Sequence, residues 1–226
     1  LITALQPMYG RDGYVTFTGN TAPAKIRHLL SAKGLVSQQT EKVPPRIRPY
    51  ANHTENNIYY ASNKAFVKSD IWFLHPSDQH FRLSDLPSAL LFNEYFGGGM
   101  NSIVFQEIRE FRSLGYSTYG RFSYDLLSRH MPFLYCFLGT QCDKTNDGVE
   151  AMLELTRVFP EREEKFAPAK DYLISTRNSN YVNFRQIPHT VRYWKEVNHY
   201  EADPRKAVTE AIGKLNYEDL RHFHTQ

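Results

Sequence analysis

Strand-like segments occur only in the first two thirds of the chain, and this division most constrains the fold. Residues 66–74, 116–124 and 131–140 are rich in aromatic and β-branched side chains, as paired strands usually are. From residue 143 onward the apolar spacing is helical. Strands with two helices among them, followed by helices alone, predict an α+β fold with a mainly antiparallel sheet and helices packed on one side.

Shorter strand-like stretches lie at 13–19 and 58–60. The first is followed by a helical pattern for which Asn20 or Thr21 is the expected N-cap, with Pro23 in its first turn.

Helices are also predicted in the last third of the chain, at 149–156, 166–181, 191–200 and 204–212, with a final short helix capped by Asn216. No internal repeat divides the sequence, so we expect residues 1–226 to form a single domain.

A run of three glycines, Gly97 to Gly99, separates the two central helices. The first helix ends at Phe96, and the second is expected to bury Val104, Ile108 and Phe111 and to end at Gly115. The glycine run follows a helix and has no Lys-Ser/Thr pair after it, which does not fit a phosphate-binding loop. It predicts a tight break with close backbone approach.

Charge and hydropathy exclude two kinds of partner. The chain has 27 Lys and Arg against 24 Asp and Glu, a net charge of +3, which is too small for the basic stripe that nucleic acid requires. Its longest strongly apolar stretch, 131–138, contains Pro132 and is far shorter than the roughly 20 residues of a membrane span. We therefore expect no nucleic-acid partner and no membrane span.

The sequence also carries no recognisable metal or nucleophile motif. Its 9 histidines form no H-E-x-x-H, no H-x-x-E-H and no pair at i, i+4, so no metal ligands are assigned. His222 and His224 are expected to be a solvated pair near the chain end. Cys136 and Cys142 have neither disulfide-framework nor zinc spacing and are expected as free thiols at or just past the end of a buried strand.

One constellation remains, on the second central helix. Arg109 and Tyr116 are seven residues apart, so on an α-helix they would share a face about 10 Å apart, with Phe105 one turn before Arg109. From the residues alone, an ordinary surface is the better interpretation: Arg109 paired with Glu110 or Glu107, and Tyr116 packed as a strand residue.

A family resemblance alters that balance. Residues 91–116, with the glycine-broken helix pair and the pattern R-x-x-x-x-x-G-Y ending at Tyr116, resemble the pitrilysin/insulinase family of zinc peptidases. Proteins of that family are built from homologous α+β halves. The chain is similar to the later half, which lacks the H-x-x-E-H zinc motif of the forward half. Arg109, Gly115 and Tyr116 match the family's arginine, glycine and tyrosine, and Phe105 matches its pocket aromatic.

The resemblance implies a role for each of these three side chains. Tyr116 would donate a hydrogen bond to a substrate carbonyl oxygen, Arg109 would hold substrate backbone carbonyls, and Phe105 would form an apolar wall. Zn²⁺ would belong to the zinc-bearing half, on the same chain or on a separate subunit. The substrate would be a peptide or an unfolded polypeptide, and we expect no activity from this chain alone.

An alternative from another functional class is a non-catalytic structural or peptide-binding member of the same family. The sequence begins without Met, and we expect it to be a fragment of a longer protein. The resemblance leaves the compartment open between bacterial periplasm and cytoplasm.

Overall fold

The computed structural model describes residues 14–34, 55–127, 131–198 and 203–225. Its sheet has three antiparallel strands: β1 (Lys68–Pro76), β2 (Ser117–Ser123) and β3 (Phe133–Gln141). The strand order is β1-β3-β2, so β3 pairs on both sides. The predicted antiparallel sheet is confirmed, and all three strands lie within two residues of their predicted positions.

Alternate residues of each strand face opposite sides of the sheet. On one side lie the buried residues Phe73, Thr118, Cys136 and Leu138. The other side is open to solvent and carries rows of three residues, one from each strand. Successive rows are Asp70–Gly139–Ser117, Trp72–Phe137–Tyr119 and Leu74–Tyr135–Arg121.

The helices follow the predicted order, and those after β3 help to cover the buried side. They are α1 (Pro23–Ala32), α2 (Leu86–Phe96), α3 (Thr145–Arg157), α4 (Phe166–Ser179), α5 (Ile187–Asn198), α6 (Arg205–Lys214) and α7 (Tyr217–Thr225). Short 3-10 turns at Leu83–Asp85, Cys142–Lys144 and Glu163–Lys165 precede α2, α3 and α4. Helix α2 is central, because it packs against β2, α4, α6 and α7.

The core forms around the sheet and α2. Its fully buried side chains include Phe92, Phe96, Ile103, Ile108, Leu138 and Met152. The last helix begins as predicted: the Asn216 side chain accepts from the Asp219 backbone N–H at 3.0 Å, and Asp219 accepts from the Asn216 N–H at 2.8 Å. This reciprocal cap satisfies donors that a helix start otherwise leaves unpaired.

The glycine run brings the end of α2 against the sheet. A β-carbon on Gly97 would lie 2.1 Å from the backbone oxygen of Gly120 in β2, so only a glycine allows this approach. The prediction of a tight break with close backbone contact is therefore confirmed at Gly97.

Two of the predicted strands are wrong. Residues 14–18 and 58–60 have no regular structure; Tyr14 is 68% exposed and Ile58 is 93% exposed. A strand needs a hydrogen-bonded neighbour, and neither stretch pairs with another described strand. Helix α1 is confirmed, but its cap is Ala22, without a side-chain hydrogen bond, instead of Asn20 or Thr21.

The second central helix differs from its prediction in its winding. Residues Phe105–Phe111 form a π-helix, in which the Arg112 N–H donates to the carbonyl of Glu107. Val104 and Ile108 are buried as predicted, but Phe111 is 65% exposed because the wider winding turns it away from the core. The helix ends before Gly115. Ser113 takes the left-handed conformation at φ 49° that we expected of a terminating glycine.

Candidate functional site

Phe105 and Arg109 lie on the exposed side of the π-helix. The Arg109 guanidinium carbon stands 4.8 Å from the centroid of the Phe105 ring, a cation–π contact. In a π-helix each backbone N–H donates to the carbonyl five residues earlier, so side chains four or five positions apart lie on the same side of the helix. This explains why Arg109 stacks on Phe105. The Arg109 Nε lies 3.6 Å from a carboxylate oxygen of Glu110, and both side chains are about half exposed. Arg109 is thus held near Phe105 with part of its donor fork open to solvent.

Tyr116 precedes β2 and lies on the open side of the sheet. Its backbone N–H donates to the carbonyl of Gly139 at 3.1 Å, and its ring covers Gly139. The Lys68 ammonium, from β1, stands 4.4 Å from the ring centroid. The residue is 52% exposed, so it is not the fully packed strand residue of the ordinary-surface interpretation.

The segment between the π-helix and Tyr116 is fixed by its neighbours. The Thr140 hydroxyl donates to the carbonyl of Leu114, and the Lys144 ammonium donates to the carbonyl of Ser113 at 3.2 Å. A β-carbon on Gly115 would lie 2.5 Å from Leu138 Cδ1, so the glycine of the R-x-x-x-x-x-G-Y pattern is required for packing on the sheet. These contacts set the position of Tyr116.

The structure does not place Arg109 and Tyr116 on one helical face. The helix ends five residues before Tyr116, and within the described residues the two side chains share no hydrogen bond, ion pair or ring contact. Glu107, the other partner considered for Arg109, pairs instead with Arg162 at 2.8 Å. Arg109 and Tyr116 are therefore two separate exposed positions, one on the π-helix and one immediately before β2.

The structure also shows a surface that the sequence analysis missed. We call it the aromatic face: Trp72, Leu74, Tyr119, Tyr135 and Phe137 on the open side of the sheet. The Trp72 and Phe137 ring centroids lie 5.0 Å apart, and those of Phe137 and Tyr119 lie 5.4 Å apart. Partial burial against Tyr135 and other neighbours raises the pKa of Tyr119. The signal was present in the sequence as Phe133, Tyr135 and Phe137 at alternate positions of β3, whereas β1 and β2 each contribute a single aromatic to the face.

A separate cavity of about 170 Å³ opens beside the far end of β1. His75, Phe81, Phe122 and His224 are among its lining residues. His224 is not solvated as predicted: its ring centroid lies 5.5 Å from that of Phe159, and burial lowers its pKa. Burial also lowers the pKa of His75, and the nearby Arg157 charge adds to the effect. None of the three predicted site residues lines this cavity.

The described residues do not fit a zinc site. In the ranges that the structure covers, no group of three His, Cys, Asp or Glu side chains comes together to hold a metal ion. Three protein ligands are the usual minimum for catalytic zinc. No helix in these ranges has the length and apolar character to cross a membrane.

The described residues form a helix-backed antiparallel sheet with Arg109 and Tyr116 exposed and with no cluster of metal-ligating side chains. A family model described as the peptidase M16 inactive domain matches residues 14–166. The chain therefore belongs to the M16 peptidase family, as its inactive, C-terminal type of domain. This confirms the resemblance to the non-zinc half of the pitrilysin/insulinase peptidases. No curated protein sequence matches the chain significantly.

Many solved structures share the fold, and three of them illustrate the likeness. A conserved protein from Enterococcus faecalis is 17% identical with a TM-score of 0.65, over 91% of this chain and 47% of its own. The periplasmic protease PqqL from Escherichia coli is 16% identical with a TM-score of 0.61, over 92% of this chain and 23% of its own. A chain of complex III2 from Candida albicans is 12% identical with a TM-score of 0.55, over 92% of this chain and 50% of its own. The chain thus spans half or less of the length of each.

Proposed function

We propose that this chain is the non-zinc half of a zinc-dependent metallopeptidase, where it completes the substrate chamber and contacts the peptide being cleaved. The observation that supports this most is the position of Tyr116. Its side chain is exposed on the open side of the sheet, while a backbone hydrogen bond and packing over Gly139 fix its place. A fixed, exposed hydroxyl suits a donor that acts on a bound substrate.

Tyr116 is the electrostatic contact in this proposal. When a peptide carbonyl is attacked, negative charge develops on its oxygen, and a preorganised phenol O–H stabilises that charge by donating a hydrogen bond. The Lys68 ammonium, 4.4 Å from the centroid of the Tyr116 ring, adds positive charge to the site. Both groups favour the charged transition state over the neutral peptide.

Arg109 and Phe105 bind and position the peptide. The guanidinium offers several N–H donors in a fixed fork, which suits the carbonyl oxygens of an extended backbone. Stacking on Phe105 restricts the side chain and lowers the entropy lost on binding. Phe105 also gives an apolar wall to a substrate side chain.

Zinc belongs to the other half in this proposal. The described residues of this chain supply no metal ligands, and its own tasks are binding, orienting and hydrogen-bond donation. The partner is a homologous zinc-bearing half, on the same chain or a separate subunit, and the substrate is a peptide or an unfolded polypeptide. The chain by itself is inactive.

A non-catalytic structural or peptide-binding role is the second candidate. It is favoured by the 3.6 Å contact of Arg109 with Glu110, which resembles an ordinary surface ion pair. In that case the Arg109 and Tyr116 side chains have no part in turnover.

The test is cleavage of a quenched fluorescent peptide by the complete assembly of this chain with its zinc-bearing half. Tyr116→Phe removes only the hydroxyl, and we expect it to lower kcat/KM by about 10²-fold, the usual effect of losing one oxyanion donor. Arg109→Lys keeps the charge but loses the forked arrangement of N–H donors. We expect a smaller decrease in kcat/KM, caused mainly by a higher KM.

Tyr172→Phe is the matched control, because Tyr172 is 60% exposed on α4 and lies outside the site. It should leave the rate unchanged. If Tyr116→Phe is as active as this control, Tyr116 has no catalytic role. If the assembly is inactive toward all peptides with zinc present, the structural role is favoured.

A further inference from the structure

The aromatic face is unusual for the solvent side of an antiparallel sheet. Such a side normally carries polar residues, yet here Trp72 is 58% exposed and Leu74 is 65% exposed. Exposed aromatic clusters of this kind mark places where another molecule binds. The cluster directly continues the row that Tyr116 covers, since Phe137 is the next open-side residue of β3 after Gly139.

We propose that the aromatic face selects which peptides the site accepts, favouring extended segments with an aromatic or large aliphatic side chain and an acidic side chain two residues away from it. This inference rests on the proposed function of Tyr116 as a peptide contact. Its occupant is an unfolded polypeptide segment lying along the strands.

The spacing of the rows supports an extended peptide. Rows along β3 are two residues apart, at Gly139, Phe137 and Tyr135, which is roughly 7 Å per step. An extended peptide presents same-side side chains at the same interval. A peptide with one residue at Tyr116 would thus place its next same-side residue on Trp72, Phe137 and Tyr119.

The hydroxyl groups on the face distinguish a peptide from a purely apolar ligand. Tyr119 and Tyr135 point phenol groups from the same side as Tyr116, and within the described residues neither hydroxyl has a hydrogen-bond partner. An extended peptide backbone carries carbonyl groups that need donors once water is displaced. Tyrosines supply both an apolar ring and such a donor.

Charge sets the preference for an acidic residue. Lys68 and Asp70 are same-side neighbours on β1 at the Tyr116 end, so that end of the sheet carries one charge of each sign. Arg121 lies in the following row beside Tyr135, and it has no ion-pair partner in the described ranges. A peptide carboxylate in that row would meet a free guanidinium, whereas a lysine there would be repelled.

The test is binding of fluorescein-labelled unstructured peptides of about eight residues, long enough to cross the three rows. The reference peptide carries Phe with Asp two residues before it and two residues after it, because a peptide can lie along the strands in either direction. One comparison peptide replaces Phe by Ala, and another replaces both Asp residues by Lys. We expect fluorescence anisotropy with the full chain to show at least tenfold weaker binding of each comparison peptide.

Two variants assign the effect to the face. Trp72→Thr removes the most exposed ring of the aromatic face and should abolish the preference for Phe. Arg121→Glu should reverse the preference between Asp and Lys. Phe184→Thr is the matched control, because Phe184 is 54% exposed away from the sheet. Near-UV circular dichroism of each variant checks that it is folded.

The outcomes separate this inference from the proposed function. If all three peptides bind alike, or if Phe184→Thr has the same effect as Trp72→Thr, the selectivity proposal is overturned. Light scattering could instead show a dimer that Trp72→Thr converts to a monomer, with no peptide selectivity. That result would assign the aromatic face to a second copy of the chain and would also overturn the selectivity proposal. If the peptides bind selectively but assemblies with Tyr116→Phe turn over normally, the selectivity of the aromatic face is supported and the catalytic role of Tyr116 is rejected.

Discussion

The ring of Tyr116 lies so close over Gly139 that a β-carbon on Gly139 would stand 3.1 Å from both its Cζ and its hydroxyl oxygen. The tyrosine is therefore positioned by the absence of a side chain on the neighbouring strand. A contact of that length forces the ring to move by a few tenths of an ångström, without disturbing the pairing of the strands.

Gly139→Ala should consequently impair the site more than the fold. We expect about a tenfold lower kcat/KM in the assembled peptidase, because small displacements of a catalytic group are costly, and a loss of about 1 kcal/mol in the free energy of unfolding. The measurements are peptide turnover and urea denaturation. Gly213→Ala is the control, since a β-carbon there meets nothing within 4 Å. Equal activity of the two variants would contradict the prediction.

The glycines of the run should differ sharply in their tolerance. Gly97→Ala places a β-carbon on the backbone of Gly120, which cannot yield without shifting a strand, so we expect a loss of about 3 kcal/mol or more in unfolding free energy. Gly99→Ala meets only the Glu94 side chain at 3.8 Å, an ordinary contact, and should be nearly neutral. Thermal denaturation of both variants tests this, and similar melting temperatures would show that the close approach is not needed.

Acidification should destabilise the fold through two buried imidazoles. The pKa values of His75 and His224 are lowered below the ordinary value of about 6.5, so the unfolded chain binds protons more readily than the folded one. The stabilisation that the two neutral imidazoles contribute is therefore complete above about pH 6.5. It is lost as the pH falls from about 6.5 through the lowered pKa values. Denaturation curves at stepped pH measure the slope.

Two histidine variants that differ in burial test this pH dependence. His224→Gln should flatten the pH dependence below about pH 6.5, and the same substitution at the exposed His189 is the matched control. An unaltered slope in His224→Gln would mean that this imidazole does not couple protonation to folding.

The two thiols should react differently, because Cys136 lies within β3 and not at its end as expected, whereas Cys142 lies just past the end of the strand. Cys136 is buried and burial raises its pKa to about 12, so it is neither accessible nor ionised at neutral pH. Cys142 is exposed. We expect a maleimide to label the native chain once and the denatured chain twice, as counted by mass spectrometry. Native labelling of a Cys142→Ser variant would contradict the burial of Cys136.

Much of the fold was predictable because its signals are local. Strands β2 and β3 and the cap at Asn216 follow from nearby residue types, and the break at Gly97 follows from composition. Residues 14–18 and 58–60 carry the same local signal, yet whether a strand forms depends on a pairing partner that the sequence does not identify. The π-helix was missed because burial of Val104 and Ile108 fits either winding, and only exposed Phe111 separates them.

The membership of the site stays a prediction, and its arrangement differs from the one that the sequence suggested. Phe105, Arg109 and Tyr116 were identified through the family resemblance, and an α-helical projection placed the last two on one face. Their actual placement depends on where the helix ends and on the register that puts Gly139 beneath Tyr116, both of which are tertiary properties. Lys68 has no sequence signal as a member of the site, since its approach to Tyr116 requires β1 to pair with β3.

The contact of Gly97 with Gly120 and the two hydrogen bonds between the Asn93 side chain and the Phe122 backbone anchor the sheet to α2 from its buried side. Because no side chain on the open side takes part in that anchor, the exposed residues of the three strands can be exchanged without moving the strands that carry them. Trp72, Tyr119 and Arg121 are therefore natural positions for a library of variants. The same scaffold could be re-engineered toward different peptide sequences while its framework stays constant.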